Sequence, residues 1–557
     1  MTCHCPYEKP YAPPLLPMRR FIFPFLLGLF LLGLFLLSGC ARAPREAGVL
    51  RLASETDTST LDPARAYDTS SILYVRLMYR GLVDYNTKAE IINEIAASRG
   101  VSKDGKTYTF KLRPDVKFHD GSRVVAEDFR FALERVLDPK TASDGLSLFT
   151  MIDGAEEFST DREGPKKLRH VRGIEVRGED EIIFHLARAD ATFLNYLTLP
   201  FAYAVSPAHV TKLEKEGKSL SENPLGTGPF ILKQWVHDGW LILEKNPHYF
   251  HPDLPKCNRI ETQFGIAPTL ETMLFEQGAL DILNISDALP PDYLRFRRDP
   301  KWQKLTLSGP TMDVSYLALN TEIKPFDDVR IRRALNYAIN RDRIVGFLTG
   351  RGVRAAGPLP EGMPAYNPNL PAYAYDPQKA RQLLKAAGYK DNPSAPIPLI
   401  YGVKVPWVGK AAQSIQEDLK TVGVSISLKA MTYSEMKAQA GRRGAAPLSI
   451  NAWSQDFPDP ANFLDVLFNG KSITPVSSVN RAFYSNPQVN ALLNQAAIET
   501  NRPKRLAMYQ QIEKMIVADA PWVSLLHTQR YVVRQPWVTG YQLHPMWSAV
   551  YENVGVE

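Results

Sequence analysis

Only one stretch of this chain is apolar enough to leave water as a single segment: seventeen mostly apolar residues from Phe21 to Leu37. Everything after it mixes apolar and charged residues and must bury a core of its own. Arg19 and Arg20 stand directly before the run and small Ser38 and Gly39 follow it, the charged, apolar, small order of a secretory signal segment. Seventeen apolar residues just suffice to span a bilayer. Small residues and a cysteine directly after the run favour cleavage over an uncleaved anchor. Residues 1–17, with Cys3, Cys5 and several prolines, have no targeting character, so Met18 is expected to be the true start.

Leu37-Ser38-Gly39-Cys40 resembles the cleavage site of bacterial lipoproteins, in which the cysteine is lipidated and becomes the new N-terminus. Residues 1–39 are then a signal peptide, and 40–46 a linker between lipid and fold. Cys257 is left without an intrachain partner, so an exported chain is held together without disulfides. A large core allows that; a small domain would not. No motif surrounds Cys257, which is expected to be packed rather than reactive. The net charge of +7 is mild over 557 residues, and no run of like charges occurs, so nucleic acid is not an expected partner.

From Leu50 onward strand-like and helix-like segments alternate without repeats. Tyr108, Phe110 and Leu112 alternate with polar residues, a period-two strand closed by Pro114. Ala126 to Leu137 puts Phe129, Ala132, Leu133 and Val136 on one helical face. Val171–Val176 and Glu181–Leu186 flank Gly178-Glu179-Asp180 as a β-hairpin. Asp376-Pro377 begins a helix that Gly388 ends. A second helix spans Lys410 to Val422, and Val424, Ile426 and Leu428 follow as a half-buried strand. Near the C-terminus Leu506, Tyr509, Ile512 and Ile516 line one face of a further helix. Helix followed by strand, repeated, is the pattern of a mixed α/β fold with crossover connections.

Motifs for chemistry are missing. The chain has no Gly-x-Ser-x-Gly elbow, no His-Glu-x-x-His, no phosphate loop and no Gly-x-Gly-x-x-Gly after a strand. His248 and His251 are close together but lack the cysteines or carboxylates of a metal site. His237-Asp238 has no nucleophile beside it and reads as a turn before Trp240–Leu243. No catalytic residue, cofactor or metal is therefore expected.

Several longer motifs do stand out. Thr107-Tyr-Thr-Phe-Lys-Leu-Arg-Pro-Asp-Val-Lys-Phe-His-Asp-Gly121 is followed by Val125-Ala-Glu-Asp-Phe129. Leu61-Asp-Pro63, Gly226-Thr-Gly-Pro-Phe230, Asn320 and Pro325-Phe-Asp-Asp-Val-Arg-Ile-Arg-Arg-Ala-Leu335 come in order around them. Tyr375-Asp-Pro377, Ala387-Gly-Tyr389 and Trp453-Ser-Gln-Asp-Phe-Pro-Asp-Pro460 complete the series. Read without a family, Pro325–Leu335 is a helix start at Asp327 or Asp328 with an apolar face, and Gly226–Phe230 a tight turn entering a strand, not an anion cradle. Together the motifs resemble family 5 extracellular solute-binding proteins, the oligopeptide and dipeptide receptors of ABC importers. The resemblance implies a periplasmic-binding-protein-like α/β fold, two large lobes joined by a hinge with the first lobe subdivided. It places domain I at 47–83, 201–306 and 526–557, domain Ib at 84–200 and domain II at 307–525. Ligand is enclosed when the lobes rotate together.

A peptide receptor must hold what all peptides share: backbone, α-ammonium and carboxylate. The resemblance implies that an aspartate three residues after the motif tryptophan pairs with the ammonium, which here selects Trp453 and Asp456. Asp459, before Pro460, has the alternative reading of an ordinary turn residue. Tyr433 falls where peptide-binding relatives carry an aromatic pocket wall; a core role is the alternative. Tripeptide-preferring relatives carry an arginine where this chain has Ile450, and dipeptide-type relatives use an arginine in the loop matching Tyr401–Trp407, where this chain offers Lys404.

The expected function is a lipid-anchored monomer that captures peptides and delivers them to the membrane permease of an ABC importer. The membrane is reached through the lipid on Cys40. The same fold carrying a nickel chelate, an oligosaccharide or a murein peptide is the alternative. A lipid-anchored hydrolase is disfavoured by the missing nucleophile motifs, and an adhesion or chaperone protein would not need a free amine.

Overall fold

A computed structural model describes residues 46–160 and 169–557. The apolar run and Cys40 lie outside the described residues. Gly48–Glu557 group as one compact unit, built on three main sheets with helices packed around them. The first sheet has Val49–Ala53 parallel to Arg259–Gln263, which is followed by antiparallel Trp240–Lys245 and Phe230–Val236. The second is antiparallel, in the order Ala96–Val101, Thr107–Leu112, Glu181–His185, Ile174–Arg177. The third is eight-stranded and mixed.

The periodicities fold as their chemistry demands. Tyr108, Phe110 and Leu112 are buried while Thr107, Thr109 and Lys111 are not. Along the helix Ala126–Leu137 the buried face includes Phe129, Ala132, Leu133 and Val136. The hairpin after Gly173 forms with strands Ile174–Arg177 and Glu181–His185, slightly shorter than the apolar pattern. Asp376 caps the helix Pro377–Ala386 by accepting from the Lys379 backbone N–H, and Gly388 follows in a left-handed conformation. The next helix begins earlier than its stripe, at Pro406, because proline suits a first helical turn. Asp328, not Asp327, caps the helix Val329–Ala338. Arg332 on that helix is buried and donates to the Phe326 and Asp519 carbonyls, so its role is structural.

Strand Trp522–Arg534 runs the length of the large sheet's centre. At thirteen residues it is about 40 Å long. Its first part pairs with Asp313–Leu319 and Gly352–Arg354, and its last part with Thr306–Pro310 and Ile282–Asn284. Thr306–Pro310 and Asp313–Leu319 run alongside it, one after the other. Beyond Asp313–Leu319 the same sheet continues through Leu448–Ser454, Ile397–Gly402 and Ile426–Met431.

Each sheet has its own core. Phe110, Phe129, Phe184 and Phe193 fill one beside the second sheet. Leu50, Tyr79, Leu243 and Ile260 fill another beside the first. Leu317, Leu335, Leu399 and Ile415 pack together on the large sheet, and Tyr316, Phe463, Tyr509 and Trp522 form a separate cluster there. Gly226 and Gly228 serve close approach: a Cβ on Gly226 would lie 1.9 Å from the Met78 carbonyl oxygen. Cys257 is fully buried, and burial pushes its thiol up to about 12. It is a packed, unreactive cysteine.

Candidate functional site

The strand Leu448–Ser454 is buried through Asn451 and then emerges, with Ala452 and Ser454 exposed and Trp453 half-buried. It opens into a cavity of about 650 Å³ whose other walls come from distant parts of the chain. Those walls include Tyr67, Arg76, Phe201 and Trp547. An adjoining cavity of about 430 Å³ shares Ser454, Gln455, Arg530 and Met546 with the first. Volumes of this size suit small molecules and short peptides.

Asp456 follows the strand in a turn that is fixed from behind. Its backbone N–H donates to Asn462 Oδ1 at 2.8 Å, and Asn462 Nδ2 donates to Asp456 Oδ2 at 2.9 Å. Asn462 is itself buried on the helix Ala461–Phe468. From across the cleft, Tyr67 donates its O–H to Asp456 Oδ1 at 3.1 Å. Asp456 therefore has three neutral hydrogen-bonding contacts and, among the described residues, no cationic partner. Burial raises its pKa, and the bonds from Asn462 and Tyr67 oppose that shift.

Asp459 is not an ordinary turn residue. Both its oxygens accept from Arg505, at 2.5 and 2.8 Å, in a buried bidentate pair, and Oδ1 also accepts from the Ala461 backbone N–H at 2.9 Å. This pair ties the motif to the helix Arg502–Asp519. Two more contacts tie the motif to distant segments: Gln455 Nε2 donates to the Pro545 carbonyl at 2.9 Å, and Tyr196 meets Phe457 edge-on at 5.3 Å.

The remaining expected residues separate. Trp453 and Tyr433 line the same cavity as Asp456. Tyr433 is half exposed at the start of the helix Tyr433–Ala440, and the Trp453 indole N–H has no hydrogen-bond partner among the described residues. Ile450 is in the core. Lys404 sits in the exposed turn between Ile397–Gly402 and Pro406–Thr421 and lines neither cavity.

Sequence reasoning missed the other charged residues that line the cavity. Arg76 makes two hydrogen bonds to Asp84, at 3.1 and 2.9 Å, and its guanidinium lies 3.8 Å from the centroid of the Trp547 ring. Trp547 Nε1–H donates to the same Asp84 at 2.9 Å. Burial pushes Asp84 up, but Arg76 and its hydrogen bonds outweigh this and hold the carboxyl below its usual range. Arg80 pairs with Glu94 at 3.1 Å and Glu552 at 2.6 Å. Arg530 lines both cavities and, among the described residues, its guanidinium forms no ion pair or hydrogen bond. No local motif marks it. No group of metal-ligating side chains occurs among the described residues.

The model of the bacterial extracellular solute-binding proteins, family 5 middle region, matches residues 90–475. The chain is 31% identical over 493 residues to the glutathione-binding protein GsiB of Pectobacterium atrosepticum, covering 87% of this chain and 90% of that one. It is 29% identical to heme-binding protein A of Haemophilus influenzae, covering 88% of each. Among solved structures, clavulanic acid biosynthesis oligopeptide binding protein 2 superposes with a TM-score of 0.81 at 25% identity, over 92% of this chain and 96% of that one. The chain belongs to family 5 of the bacterial extracellular solute-binding proteins, receptors that hand ligand to ABC importers. It is a binding receptor of α/β two-lobe architecture and not an enzyme, and it works outside the cytoplasm.

Proposed function

We propose that this receptor captures short peptides with a free amino terminus and that Asp456 receives their α-ammonium. The observation that carries this reading is a cleft carboxylate braced by Asn462 and Tyr67 with no cation beside it among the described residues. A charge-assisted hydrogen bond contributes about 1.5–3 kcal/mol, enough to select amine-bearing ligands. Trp453 and Tyr433 supply apolar wall to the same cavity, and strand-like main chain at Ala452–Ser454 is available to an extended ligand. A relative named for glutathione, itself a peptide with a free ammonium, supports the class.

In this reading residues 1–39 are removed, Cys40 carries lipid, and 40–46 tether a monomer to the membrane beside its permease. Domain I comprises 47–83, 201–306 and 526–557, domain Ib 84–200 and domain II 307–525. The passage of the chain between lobes near 310–313 supports the second boundary. To test the ligand class, protein purified from its native envelope is denatured and the released small molecules are identified by mass spectrometry. Peptides with free amino termini are the expected result; a released solute without an amine overturns the reading.

A further inference from the structure

Five charged residues line the main cavity: Arg76, Arg80, Asp456, Arg530 and Glu552. Three of them are spent within the protein, Arg76 on Asp84 and Arg80 on Glu94 and Glu552. Two are not. Asp456 has only neutral partners, and Arg530 makes no ion pair or hydrogen bond through its guanidinium among the described residues. One negative group without a cation and one positive group without an ion pair thus line one cavity, with Arg530 acting only through space on Asp287, Tyr541 and Tyr551. Such a space favours a ligand that carries both charges at its two ends over one with a single charge, because either unpaired group would lose solvation without recompense.

The position of Arg530 is built by the fold. It sits on the long strand Trp522–Arg534, opposite Gly309 in the antiparallel pairing with Thr306–Pro310. Glycine there puts no side chain beside the guanidinium; a Cβ on Gly309 would meet only Leu543, at 3.6 Å. Arg530 also stands where the two cavities meet, so it reaches a ligand that ends in the first or continues into the second. The second cavity is lined by two acidic residues, Asp313 and Glu361, and Asp313 is occupied by the Thr528 backbone N–H at 2.8 Å and Thr311 Oγ1 at 3.0 Å. Lys404, the sequence candidate for this task, lines neither cavity.

We infer that Arg530 is the carboxylate receptor of the site, so that the ligand is a zwitterion held by its ammonium at Asp456 and by a carboxylate at Arg530. This rests on the peptide reading above and adds the second recognition point. The carboxylate is that of a peptide C-terminus or of an acidic side chain. A planar guanidinium suits either through two parallel hydrogen bonds, which lysine cannot match.

The test uses the full chain freed of ligand, with mixed di-, tri- and tetrapeptide libraries as free acids and as C-terminal amides, with and without a glutamate. Bound species are identified by mass spectrometry and measured by calorimetry. Arg530→Gln is expected to lower affinity for free-acid peptides by about thirtyfold or more, and to abolish the preference for acid over amide that the wild type shows. Glutamate-bearing amides that keep wild-type affinity, and lose it in Arg530→Gln, would assign the carboxylate to the side chain. Arg530→Lys, which keeps the charge, should recover part of the loss and checks that the strand still folds. If the wild type binds peptides but Arg530→Gln weakens acids and amides equally, the Arg530 assignment is wrong and the peptide reading stands. If the wild type binds none of the free-amine libraries, the peptide reading itself falls and takes this inference with it.

Discussion

Replacing Asp456 by asparagine is the most direct probe of the site. The substitution keeps the size of the side chain and removes its charge. In the protein the two carboxylate oxygens accept from Asn462 Nδ2 and from the Tyr67 hydroxyl. An asparagine can turn its carbonyl oxygen to Asn462 and its amide to Tyr67, whose hydroxyl can accept as well as donate. The fold should therefore change by no more than about 1 kcal/mol, the worth of an ordinary hydrogen bond. Ligand binding should change far more. Removing one partner of a desolvated charge pair costs about 2–5 kcal/mol, or about thirtyfold to several thousandfold in affinity. Acetylating the peptide amine removes the same interaction from the other side, so the two changes together should cost less than their sum. Calorimetry on the four combinations reads the coupling. The pH profile adds a second check: burial raises the Asp456 pKa in the free protein, and an ammonium beside it lowers that value in the complex. Binding should weaken as pH falls through the free-protein value, and this dependence should be absent in Asp456→Asn. Additive losses, or a variant that binds as the wild type does, would refute the pairing.

Tyr67→Phe removes a hydrogen bond that crosses the cleft, so small-angle scattering of the ligand-free variant should show a more open particle, and saturating peptide should erase the difference. Glu513 is buried with its Oε1 on the Leu359 N–H and its Oε2 without a hydrogen-bond partner among the described residues, and burial pushes its pKa up from 4.5 to about 8. Its folded state holds the proton more tightly than the unfolded chain, so the stability it supports is present below about pH 4.5 and is lost as pH rises towards 8. Glu513→Gln should flatten that decline, with melting temperatures equal near pH 4.5 and higher than wild type at pH 8. Cys40→Ser should release an exported protein from the membrane fraction with peptide affinity unchanged; a wild-type protein that fractionates without lipid on Cys40 would refute the anchor.

What the sequence made legible was whatever local chemistry decides. Alternation at Tyr108–Leu112 and the stripe Phe129–Val136 are set by burial on one face, and both elements form where those patterns lie. Asp376 and Asp328 precede their helices because a short acceptor satisfies free N–H groups there. The motif Trp453–Pro460 was legible only through its resemblance to the family's motif, and its tryptophan and aspartate line the cavity together. The partners that give those residues their properties were not. Asp459 looks like a turn residue until Arg505, 46 positions away, is packed against it, and Asp456 meets Tyr67 across 389 positions.

Charge compensation is the part of the site that only the folded chain can reveal. Arg76, Arg80 and Arg530 are equivalent letters, and nothing near each of them in sequence says which is spent. Arg76 and Arg80 are neutralised by Asp84, Glu94 and Glu552, the last supplied from the far end of the chain. Had the same residues been left unpaired, the cavity would carry three cations against Asp456 and Glu552 and favour anions. Pairing two of them within the wall leaves one opening for an ammonium and one for a carboxylate. The wall arginines then act as fixed polar surface, stacked on Trp547 or held by carboxylates, while Asp456 and Arg530 keep their charges for the ligand. Selectivity for a zwitterion follows from which pairs the fold completes and not from the number of charges it contains.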